Sequence, residues 1–359
     1  MRDGAPIPHS KPSIGELEVE AAARVLLSGH LAQGEEVAAF EAEVAAVVGK
    51  RHGIAVASGT CALQLAAHAL GVGSGDEVIV PSYVCTALLH AVRAAGATPI
   101  VCDIDSRTRN IEPSGVERCL TPNSRTIVIP HMFGLTQDVK AFAALGLPVI
   151  EDCAMSLGSH CGTVSAGAVG EVAVCSFYAT KVISSGGEGG MVLTDDDGMA
   201  ARLRGLREYD GLPANGVRYN FKMTELAATI GRVQLQQLPD FIQRRRELAN
   251  RYSRALEDSV QTPPMDAGHI YYRYVFDAGE KTGSAVIAAL EERGIQARRP
   301  VNSLLHRELG LDDSAYPETT RVHEADVSLP LYPTLDEGGA NRVIDGVQQA
   351  VMLSRGAAS

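Results

Sequence analysis

The sequence lacks an excess of basic residues, a long apolar run, an internal repeat and any low-complexity tract. It has 32 Lys and Arg against 43 Asp and Glu, a formal net charge of −11, which argues against a nucleic-acid-binding protein because such proteins need clustered positive charge. No stretch approaches the ~18 uninterrupted apolar residues of a membrane-spanning helix, and the N-terminus lacks the apolar core of a signal peptide. We therefore expect a cytoplasmic protein that binds neither nucleic acid nor a membrane. The one basic run, Arg244 to Arg246, follows a helical pattern and predicts a solvated helix face.

Closely spaced cysteines are also missing. The seven cysteines include no C-x-x-C pair, and they are Cys61, Cys85, Cys102, Cys119, Cys153, Cys161 and Cys175. This odd and scattered set favours reduced, mostly buried thiols over a disulfide framework or a zinc site. No group of His, Cys and carboxylate residues has the spacing of metal ligands, so we expect no metal site.

The chain of 359 residues, 45% hydrophobic and 21% charged, is long enough for one large and one smaller globular domain. From His52 to about Thr194, short apolar segments alternate with segments of helical periodicity. The apolar segments predict seven strands, at Ile54–Ala57, Val78–Val80, Pro99–Cys102, Thr126–Pro130, Val149–Asp152, Val172–Phe177 and Met191–Thr194. The other segments predict helices at Cys61–Leu70, Ala87–Ala95, Ser114–Leu120, Asp138–Leu145 and Met199–Leu206. This alternation is typical of a mostly parallel α/β sheet covered on both faces, in which ligands bind at the carboxyl ends of the strands.

Helices flank this region on both sides. Ser13 to Glu16 matches a capping box, which predicts a first helix closed by Gly29, and a second amphipathic helix is predicted over Glu35–Val48. Two helices that meet at Pro239 follow the sheet, and they are Thr224–Leu238 and Asp240–Asp258.

The C-terminal part of the chain changes pattern and predicts a smaller α+β domain. Its expected elements are a strand over His269–Phe276, a helix over Ser284–Arg293, a strand over Ile295–Arg298 and a helix over Leu335–Val351. We therefore divide the chain into a large domain at 13–258 and a small domain at 259–359.

Two short motifs lie where predicted strands end. Ser58-Gly59-Thr60 precedes a predicted helix, and backbone N–H groups at a helix N-terminus bind anions, most often phosphate; the same residues also make an ordinary turn and N-cap. Glu151-Asp152 closes an apolar strand. A carboxylate there must be satisfied by a cation or a strong donor at the ligand-binding edge, unless it only caps the next helix.

A third motif is the segment SFYATKVISSGGEGG, residues 176–190, in which Lys181 precedes a glycine cluster. A nucleotide-binding P-loop has its glycines before the lysine, so that interpretation fails on order. A lysine just after a strand, with Ser176 five residues earlier, fits an amine that forms a Schiff base beside a phosphate contact; a surface lysine is the other interpretation. Together the three motifs supply what pyridoxal phosphate requires, which is a phosphate site, an acid for the pyridine nitrogen and an amine.

Four segments of the chain carry a family resemblance: SGTCALQLAAHALGVGSGDEVIVPSYVCTALLHAVRAAGATPIVCDID, EDCAMSLGS, SFYATKVISSGGEGGMVLTDD and REYDG…RYNFKMTELAATIGRVQLQQL. They resemble the DegT/DnrJ/EryC1/StrS aminotransferases, and the resemblance extends from PSIGELEVEAAARVLLSG to SLPLYPTL. It implies fold type I of the pyridoxal phosphate enzymes, with a large domain on a mostly parallel seven-stranded sheet and a smaller C-terminal α+β domain. Enzymes of this family commonly install amino groups on nucleotide sugars and cyclitols.

The resemblance also implies roles for individual residues. Lys181 matches the lysine that binds the cofactor covalently and then moves protons, and Asp152 matches the acid that keeps the pyridine nitrogen protonated. The residues that match the phosphate site are Gly59, Thr60 and Ser176. Asn220 matches an asparagine that reaches the phosphate from the neighbouring subunit, which implies a homodimer with shared active sites.

Two cofactor-contact positions depart from the family pattern. Met155 stands where a Gln or His commonly touches the phenolic oxygen of the cofactor, and Cys85 stands where an aromatic residue often stacks on the pyridine ring. Both side chains are soft and can pack against a ring face, but neither replaces a strong hydrogen bond or an aromatic stack. By family analogy, the substrate pocket is expected to be lined by Gln33, His131, Tyr219 and His306.

We therefore expect a pyridoxal phosphate-dependent aminotransferase of a biosynthetic pathway, making secondary metabolites or polysaccharides. It would use glutamate or glutamine to aminate a keto group of a nucleotide sugar, a cyclitol or a similar polyol. Two alternatives stay open, namely a lyase or dehydratase on the same scaffold and a non-catalytic relative that acts as a partner protein. The presence of Lys181 favours transamination, because dehydratases of the family carry a histidine at that position.

Overall fold

A seven-stranded sheet is the centre of the computed structural model, which describes residues 5–210, 216–280 and 282–356. The strands are β1 (His52–Val56), β2 (Glu77–Pro81), β3 (Thr98–Cys102), β4 (Ser124–Pro130), β5 (Val149–Asp152), β6 (His160–Cys161), β7 (Val164–Ser165), β8 (Val172–Ser176), β9 (Gly190–Thr194), β10 (Tyr274–Asp277) and β11 (Asp326–Leu329). The large sheet has the order β1-β9-β8-β5-β4-β2-β3, and its neighbouring strands are parallel except that β9 is antiparallel to β1 and β8. The expected mostly parallel sheet is thereby confirmed, with all seven predicted strands in it.

Helices cover the sheet and build the C-terminal part. They are α1 (Glu16–Ser28), α2 (Glu35–Val48), α3 (Gly59–Ala69), α4 (Ala87–Ala94), α5 (Pro113–Glu117), α6 (Asp197–Arg207), α7 (Glu225–Gln236), α8 (Leu238–Leu256), α9 (Gly283–Glu292), α10 (Leu305–Glu308), α11 (Pro317–Ala325) and α12 (Glu337–Gly356). The predicted bounds of α2 are confirmed, whereas the helix expected at Asp138–Leu145 is a 3-10 segment over Val139–Leu145. No helix among the described residues combines the length and the apolar character needed to cross a membrane.

The predicted capping box at the start of α1 is wrong in its register. The N-cap is Gly15, and its N–H donates to Glu18 Oε2 at 2.8 Å, while Ser13 Oγ is buried without a hydrogen-bond partner. The Glu18 side chain takes this position because it lies one turn into the helix and can reach back to the first free N–H. Closure of the helix by Gly29, with φ of 73°, is confirmed.

The C-terminal strand predictions are only partly confirmed. The strand expected over His269–Phe276 begins at Tyr274, because Tyr271 has a φ of 48° that interrupts an extended chain. Ile295–Arg298 is not a strand, and only single bridges join its ends, Ile7 to Ile295 and Arg298 to Ser328. The partner of β10 is instead β11, which is antiparallel to it. The sequence had given no indication of β11 or of α11.

Three hydrophobic clusters stabilise these elements. Two lie on opposite faces of the large sheet: Val172 and Val174 of β8 belong to one, and Ala173 and Cys175 to the other, as the two-residue period of a strand requires. The third cluster unites β10, β11, α9 and α12, and it also contains the C-terminal half of α8. The domain boundary after residue 258 therefore stays a proposal, since α8 on its N-terminal side contributes to the third cluster.

One buried carboxylate determines where α2 begins. Glu225 of α7 accepts the N–H groups of Gly34 and Val37 at 2.8 Å and of Glu36 at 2.9 Å. These donors belong to the first turn of α2, where no intrahelical acceptor exists, and the negative charge also suits the positive end of the helix dipole.

We expect Glu225→Gln to lower the free energy of unfolding by about 2 kcal/mol, because it removes a charged acceptor from buried N–H groups. Denaturant-induced unfolding followed by circular dichroism measures this change. Glu35→Gln is the matched control, since Glu35 is exposed in the same first turn, and it should leave the transition within about 0.5 kcal/mol of the native protein. Equal effects of the two substitutions would contradict this role for Glu225.

Candidate active site

The loop between β8 and β9 presents Lys181 at the carboxyl end of the parallel strands. The Ala179 N–H donates to the Gly187 carbonyl at 2.9 Å and closes the loop. Gly186 and Gly187 have φ angles of 85° and 132°, which residues with a side chain rarely adopt. The glycines that follow the lysine therefore allow the chain to turn back into β9.

The N-terminus of α3 forms a candidate anion cradle. Ser58 is its N-cap and accepts from the Cys61 N–H at 3.2 Å, so the capping interpretation of this motif is confirmed. The N–H groups of Gly59 and Thr60 lie in the first turn, where they lack intrahelical acceptors and can face an anion. Ser176, at the end of β8, packs directly on this turn: a Cβ added at Gly59 would lie 2.7 Å from Ser176 Cβ.

The two carboxylates that close β5 have different surroundings. Glu151 accepts the N–H groups of Gly167, Val169 and Gly170 at 2.6–2.8 Å. It also lies 2.9 Å from His131 Nε2. Burial opposes the ionisation of Glu151, but these donors outweigh it and hold its pKa below the ordinary value.

Asp152 has far fewer partners than its neighbour. It is buried, and its Oδ1 accepts only from the Ala154 N–H at 3.0 Å. Among the described residues, no cationic side chain lies within ion-pair distance of it. Burial therefore raises the pKa of Asp152, although the Ala154 N–H and the charge of Lys181 oppose the rise.

Lys181 faces the aromatic ring of Tyr272, which no sequence motif indicates as a site residue. Its Nζ lies 5.2 Å from the centre of the Tyr272 ring, and the Arg273 guanidinium lies 5.5 Å from the same ring. Burial alone would raise the pKa of Tyr272, but the charges of Lys181 and Arg273 outweigh it and lower the pKa to about 8. Its only sequence signal is the aromatic run Tyr271–Tyr274, which the pattern predicts to be part of a strand.

The two departures from the family pattern lie near this centre. Cys85 follows β2 and is an exposed residue, but burial of its thiol raises the thiol pKa, and the charges of Lys181 and Asp152 also act on it. Met155 is half-buried and packs against the clusters on both faces of the sheet. All seven cysteines are free, and four of them, including Cys85, are not buried.

Asn220 and Tyr219 precede Phe221, whose carbonyl accepts from the Ala57 N–H at 2.8 Å. Asn220 is exposed. The Tyr219 hydroxyl lies 2.8 Å from Nε2 of His68, near the C-terminal end of α3, and its ring stacks on Phe221 at 4.6 Å. The candidate anion cradle at Gly59 and Thr60 is at the other end of α3, its N-terminus.

The other three expected substrate residues are bonded within the subunit. His131 is fully buried against Glu151. His306 is also fully buried, between Ser82 Oγ at 2.5 Å and Asp313 Oδ1 at 2.9 Å. Gln33 is half-buried, and its amide oxygen accepts from Arg207 Nη1 at 2.8 Å in the orientation that satisfies both groups. A cleft beside Lys181 is lined by residues 9–13, by the Lys181 loop and by Tyr272 and Arg273, and none of the three expected residues lines it.

Comparisons with a family model, with related sequences and with solved structures all find that this chain is similar to aminotransferases. The model of the DegT/DnrJ/EryC1/StrS aminotransferase family matches residues 12–348. The UDP-N-acetyl-3-dehydro-alpha-D-glucosamine 3-aminotransferase of Acidithiobacillus ferrooxidans is 33% identical, over 89% of each chain. The crystal structure of the aminotransferase TlmJ from Streptoalloteichus hindustanus is 32% identical, covers 97% of this chain and 99% of TlmJ, and has a TM-score of 0.89. NtdA of Bacillus subtilis with bound cofactor PMP is 25% identical, covers 98% of this chain and 86% of NtdA, and has a TM-score of 0.90.

We expect Gly59→Ala to weaken the binding of pyridoxal phosphate by about tenfold or more, because the new methyl group would displace Ser176 from the cradle and remove a hydrogen bond to an anion. Titration of the cofactor-free protein, followed by visible absorbance, measures the affinity. Gly73→Ala is the control, since a Cβ there meets no atom within 4 Å. If Gly59→Ala binds the cofactor as tightly as this control does, the cradle lies elsewhere.

Proposed function

This chain belongs to the DegT/DnrJ/EryC1/StrS aminotransferase family and is a pyridoxal phosphate-dependent aminotransferase; we propose that it transfers the amino group of glutamate or glutamine to a keto group of a nucleotide sugar, a cyclitol or a similar polyol. A sugar-nucleotide acceptor is supported by the name of the Acidithiobacillus relative. We further propose that the reaction belongs to a biosynthetic pathway and takes place in the cytoplasm.

The residues around Lys181 fit pyridoxal phosphate. Asp152 is a buried carboxylate with one backbone donor and no cationic partner among the described side chains, so a protonated ring nitrogen would supply the charge it lacks. The anion cradle at Gly59 and Thr60 admits no larger residue at Gly59 without displacing Ser176. This combination of an unpaired buried acid with a glycine-lined cradle is the observation that carries the proposal.

When bound, pyridoxal phosphate supplies a reactive aldehyde and a ring that accepts electrons from the substrate carbon. In our proposal Gly59, Thr60 and Ser176 hold its phosphate. Asp152 keeps a proton on the ring nitrogen, because an ionised partner stabilises that cation in a site closed to water. Cys85 and Met155 are proposed to pack against the ring as soft apolar contacts.

Lys181 is proposed to act as the amine that carries the cofactor and then as the acid and base of the reaction. When it is not bound to the cofactor, its Nζ would serve as the base that takes a proton from the substrate carbon and as the acid that gives the proton back. Tyr272 lies beside this amine and restricts where it can move. The family's aminotransferase character favours this role over the lyase and non-catalytic alternatives.

We also propose that the catalytic unit is a homodimer in which Asn220 completes the cofactor site of the neighbouring subunit. Asn220 is exposed and therefore available to a partner. Tyr219, the preceding residue, is half-buried, and we propose that it lines the substrate pocket. We also propose that Gln33, His131 and His306 contribute to the substrate pocket. Because the two histidines are buried, they would do so indirectly, by fixing the positions of β4 and α10.

We expect Lys181→Ala to slow amino transfer by about 10³-fold or more, because it removes the proton-transferring group. It should also abolish the visible band of the lysine-bound cofactor, which a half-reaction with glutamate or glutamine otherwise bleaches. Lys140→Ala, which removes an exposed lysine away from the site, should retain both properties. A colourless native protein after addition of pyridoxal phosphate would disprove the enzyme assignment to these residues.

Mixing two inactive variants tests the shared site. Lys181→Ala and Asn220→Ala each spoil both sites of their own dimer, but a mixed dimer regains one intact site. After subunits exchange at equal concentration, we expect activity to recover to about a quarter of the native level, since half of the dimers are mixed. Activity is measured at limiting cofactor before and after exchange. No recovery, although exchange is demonstrated with tagged subunits, would contradict the placement of Asn220.

A further inference from the structure

The residues that follow β2 lead from the hydrophobic core to the site around Lys181. Residues 82–84 are fully buried, whereas Cys85 is an exposed residue. The charges of Lys181 and Asp152 act on the Cys85 thiol, so this thiol lies beside the groups that are proposed to hold the cofactor. The position of Cys85 therefore depends on what fixes the three buried residues before it.

Tyr83 is bound by a carboxylate from the C-terminal part of the chain. Its hydroxyl donates to Asp326 Oδ2 at 2.9 Å, and Asp326 is the first residue of β11. Both residues are 0% exposed. A hydrogen bond to a charged acceptor is strong when water is excluded from it. This bond therefore connects β11 firmly to the segment that carries Cys85.

Arg109 supplies the counter-charge of Asp326. Its Nε donates to Asp326 Oδ2 at 3.0 Å and its Nη2 donates to Oδ1. Burial raises the pKa of Asp326, and the Arg109 cation and the Tyr83 hydroxyl oppose that rise. Arg109 also has a φ of 62°, a strained conformation for a residue with a side chain, which persists only where the surrounding contacts hold it.

Three arginines among the described residues are buried, and they differ in their partners. The prediction of a solvated helix face at Arg244 to Arg246 is wrong for Arg245, which is only 5% exposed and donates to backbone carbonyls. Arg207 pairs with Glu41 at 2.6 Å, and Glu41 retains some contact with solvent. Arg109 is the one whose partner carboxylate is 0% exposed. Desolvation offsets most of the attraction in such a pair, so fixing one arrangement explains it better than stability does.

Ser82, the residue before Tyr83, is bound by a second element of the C-terminal part. Its Oγ lies 2.5 Å from His306 Nδ1, and its carbonyl accepts from the Leu305 N–H at 3.0 Å. The other ring nitrogen of His306 lies 2.9 Å from Asp313 Oδ1. A proton on that nitrogen leaves Nδ1 as the acceptor of the Ser82 hydroxyl. Two neighbouring residues are thus bound from α10 and from β11, which fixes the direction of the chain that follows them.

We propose that Asp326 is a positioning residue of the cofactor site, which acts through Tyr83 to fix the segment 82–85 and thereby the place where Cys85 meets the cofactor ring. The inference rests on the proposed function in one respect, since it takes Cys85 to contact the cofactor. Because Asp326 belongs to β11, the shape of the cofactor site then depends on how the C-terminal part packs against the large sheet.

Tyr83→Phe tests the proposal because it deletes only the hydroxyl that reaches Asp326. Tyr252→Phe is the matched control, since it removes the hydroxyl of another fully buried tyrosine, which donates to the Pro330 carbonyl at 3.0 Å in the third hydrophobic cluster. We expect Tyr83→Phe to weaken the binding of pyridoxal phosphate about fivefold, because binding must then order the segment. Tyr252→Phe should change this affinity by less than about twofold. Both should lower the midpoint of unfolding, so a loss of stability alone does not distinguish them.

Alkylation of Cys85 by iodoacetamide provides a readout that needs no cofactor. Peptide mass spectrometry follows each cysteine separately, so half-buried Cys161 in β6 serves as the internal reference. In the cofactor-free protein we expect Tyr83→Phe to raise the rate at Cys85 about fivefold, because local opening of the released segment exposes the thiol. Tyr252→Phe should leave that rate unchanged. Bound pyridoxal phosphate should slow the reaction of Cys85 in the native protein, since it covers this side chain.

Asp326→Asn tests whether Asp326 acts through Tyr83. Asparagine keeps an oxygen that accepts from the Tyr83 hydroxyl but lacks the charge that pairs with Arg109, so it should weaken cofactor binding in the same direction as Tyr83→Phe. In a Tyr83→Phe background it should have little further effect on the affinity or on Cys85 alkylation, because the connection is already broken. Fully additive effects of the two substitutions would overturn the proposal.

The outcomes separate this inference from the enzyme assignment. If the native protein binds pyridoxal phosphate and Tyr83→Phe behaves like Tyr252→Phe in both measurements, the positioning role is wrong while the aminotransferase function stands. If Cys85 is alkylated faster but the cofactor affinity is unchanged, the contacts fix Cys85 without positioning the cofactor, and the proposal is overturned. If the native protein binds no cofactor although Cys85 responds to Tyr83→Phe as expected, the proposed function fails and the connection from Tyr83 to Cys85 stands.

Discussion

The alternation of side chains along β5 determines the chemistry at this edge of the sheet. Adjacent residues of a strand point to opposite faces, so Glu151 and Asp152 cannot share partners. Glu151 accepts from His131 and from backbone N–H groups, and its charge is fully compensated within the fold. Asp152 retains one backbone donor in a buried position. Its carboxylate has no cationic partner among the described side chains, and in our proposal this leaves it available to the ring nitrogen of the cofactor.

The electrostatics on the other side of Lys181 have the opposite sign. Arg273 adds positive charge beside the amine, and Lys181 and Arg273 together lower the pKa of Tyr272 to about 8 against the effect of burial. The lysine therefore lies between a buried acid and a region that favours anions.

The sequence was sufficient to predict the large sheet and the three motifs at the ends of its strands. Strands that are buried on both faces appear as nearly continuous apolar segments, and glycines mark the turns that follow them. The strand pattern alone could not distinguish Glu151 from Asp152, since both close the same strand; only the family resemblance selected Asp152. Nor could the sequence show that His131 and His306 are enclosed by Glu151 and by Asp313 with Ser82. Glu151 and Ser82 are distant in the chain from the histidines that they contact, and Asp313 follows His306 after an irregular turn. The sequence around a loop histidine contains no pattern that indicates whether its side chain is buried.

The backbone conformation of Tyr271 explains why the hydrophobic periodicity of the sequence does not predict the cleft beside Lys181. A strand over 269–276 would send alternate residues to two fixed faces, but Tyr271 has a φ of 48°, and a non-glycine residue in this region costs roughly 1–3 kcal/mol. The bend places Tyr271 in the third hydrophobic cluster and Tyr272 in the cluster under the sheet, against Lys181. Arg245 donates to the carbonyl of Tyr272 and stabilises the bend, so the residue that supplies charge to the cleft also holds the backbone that shapes it.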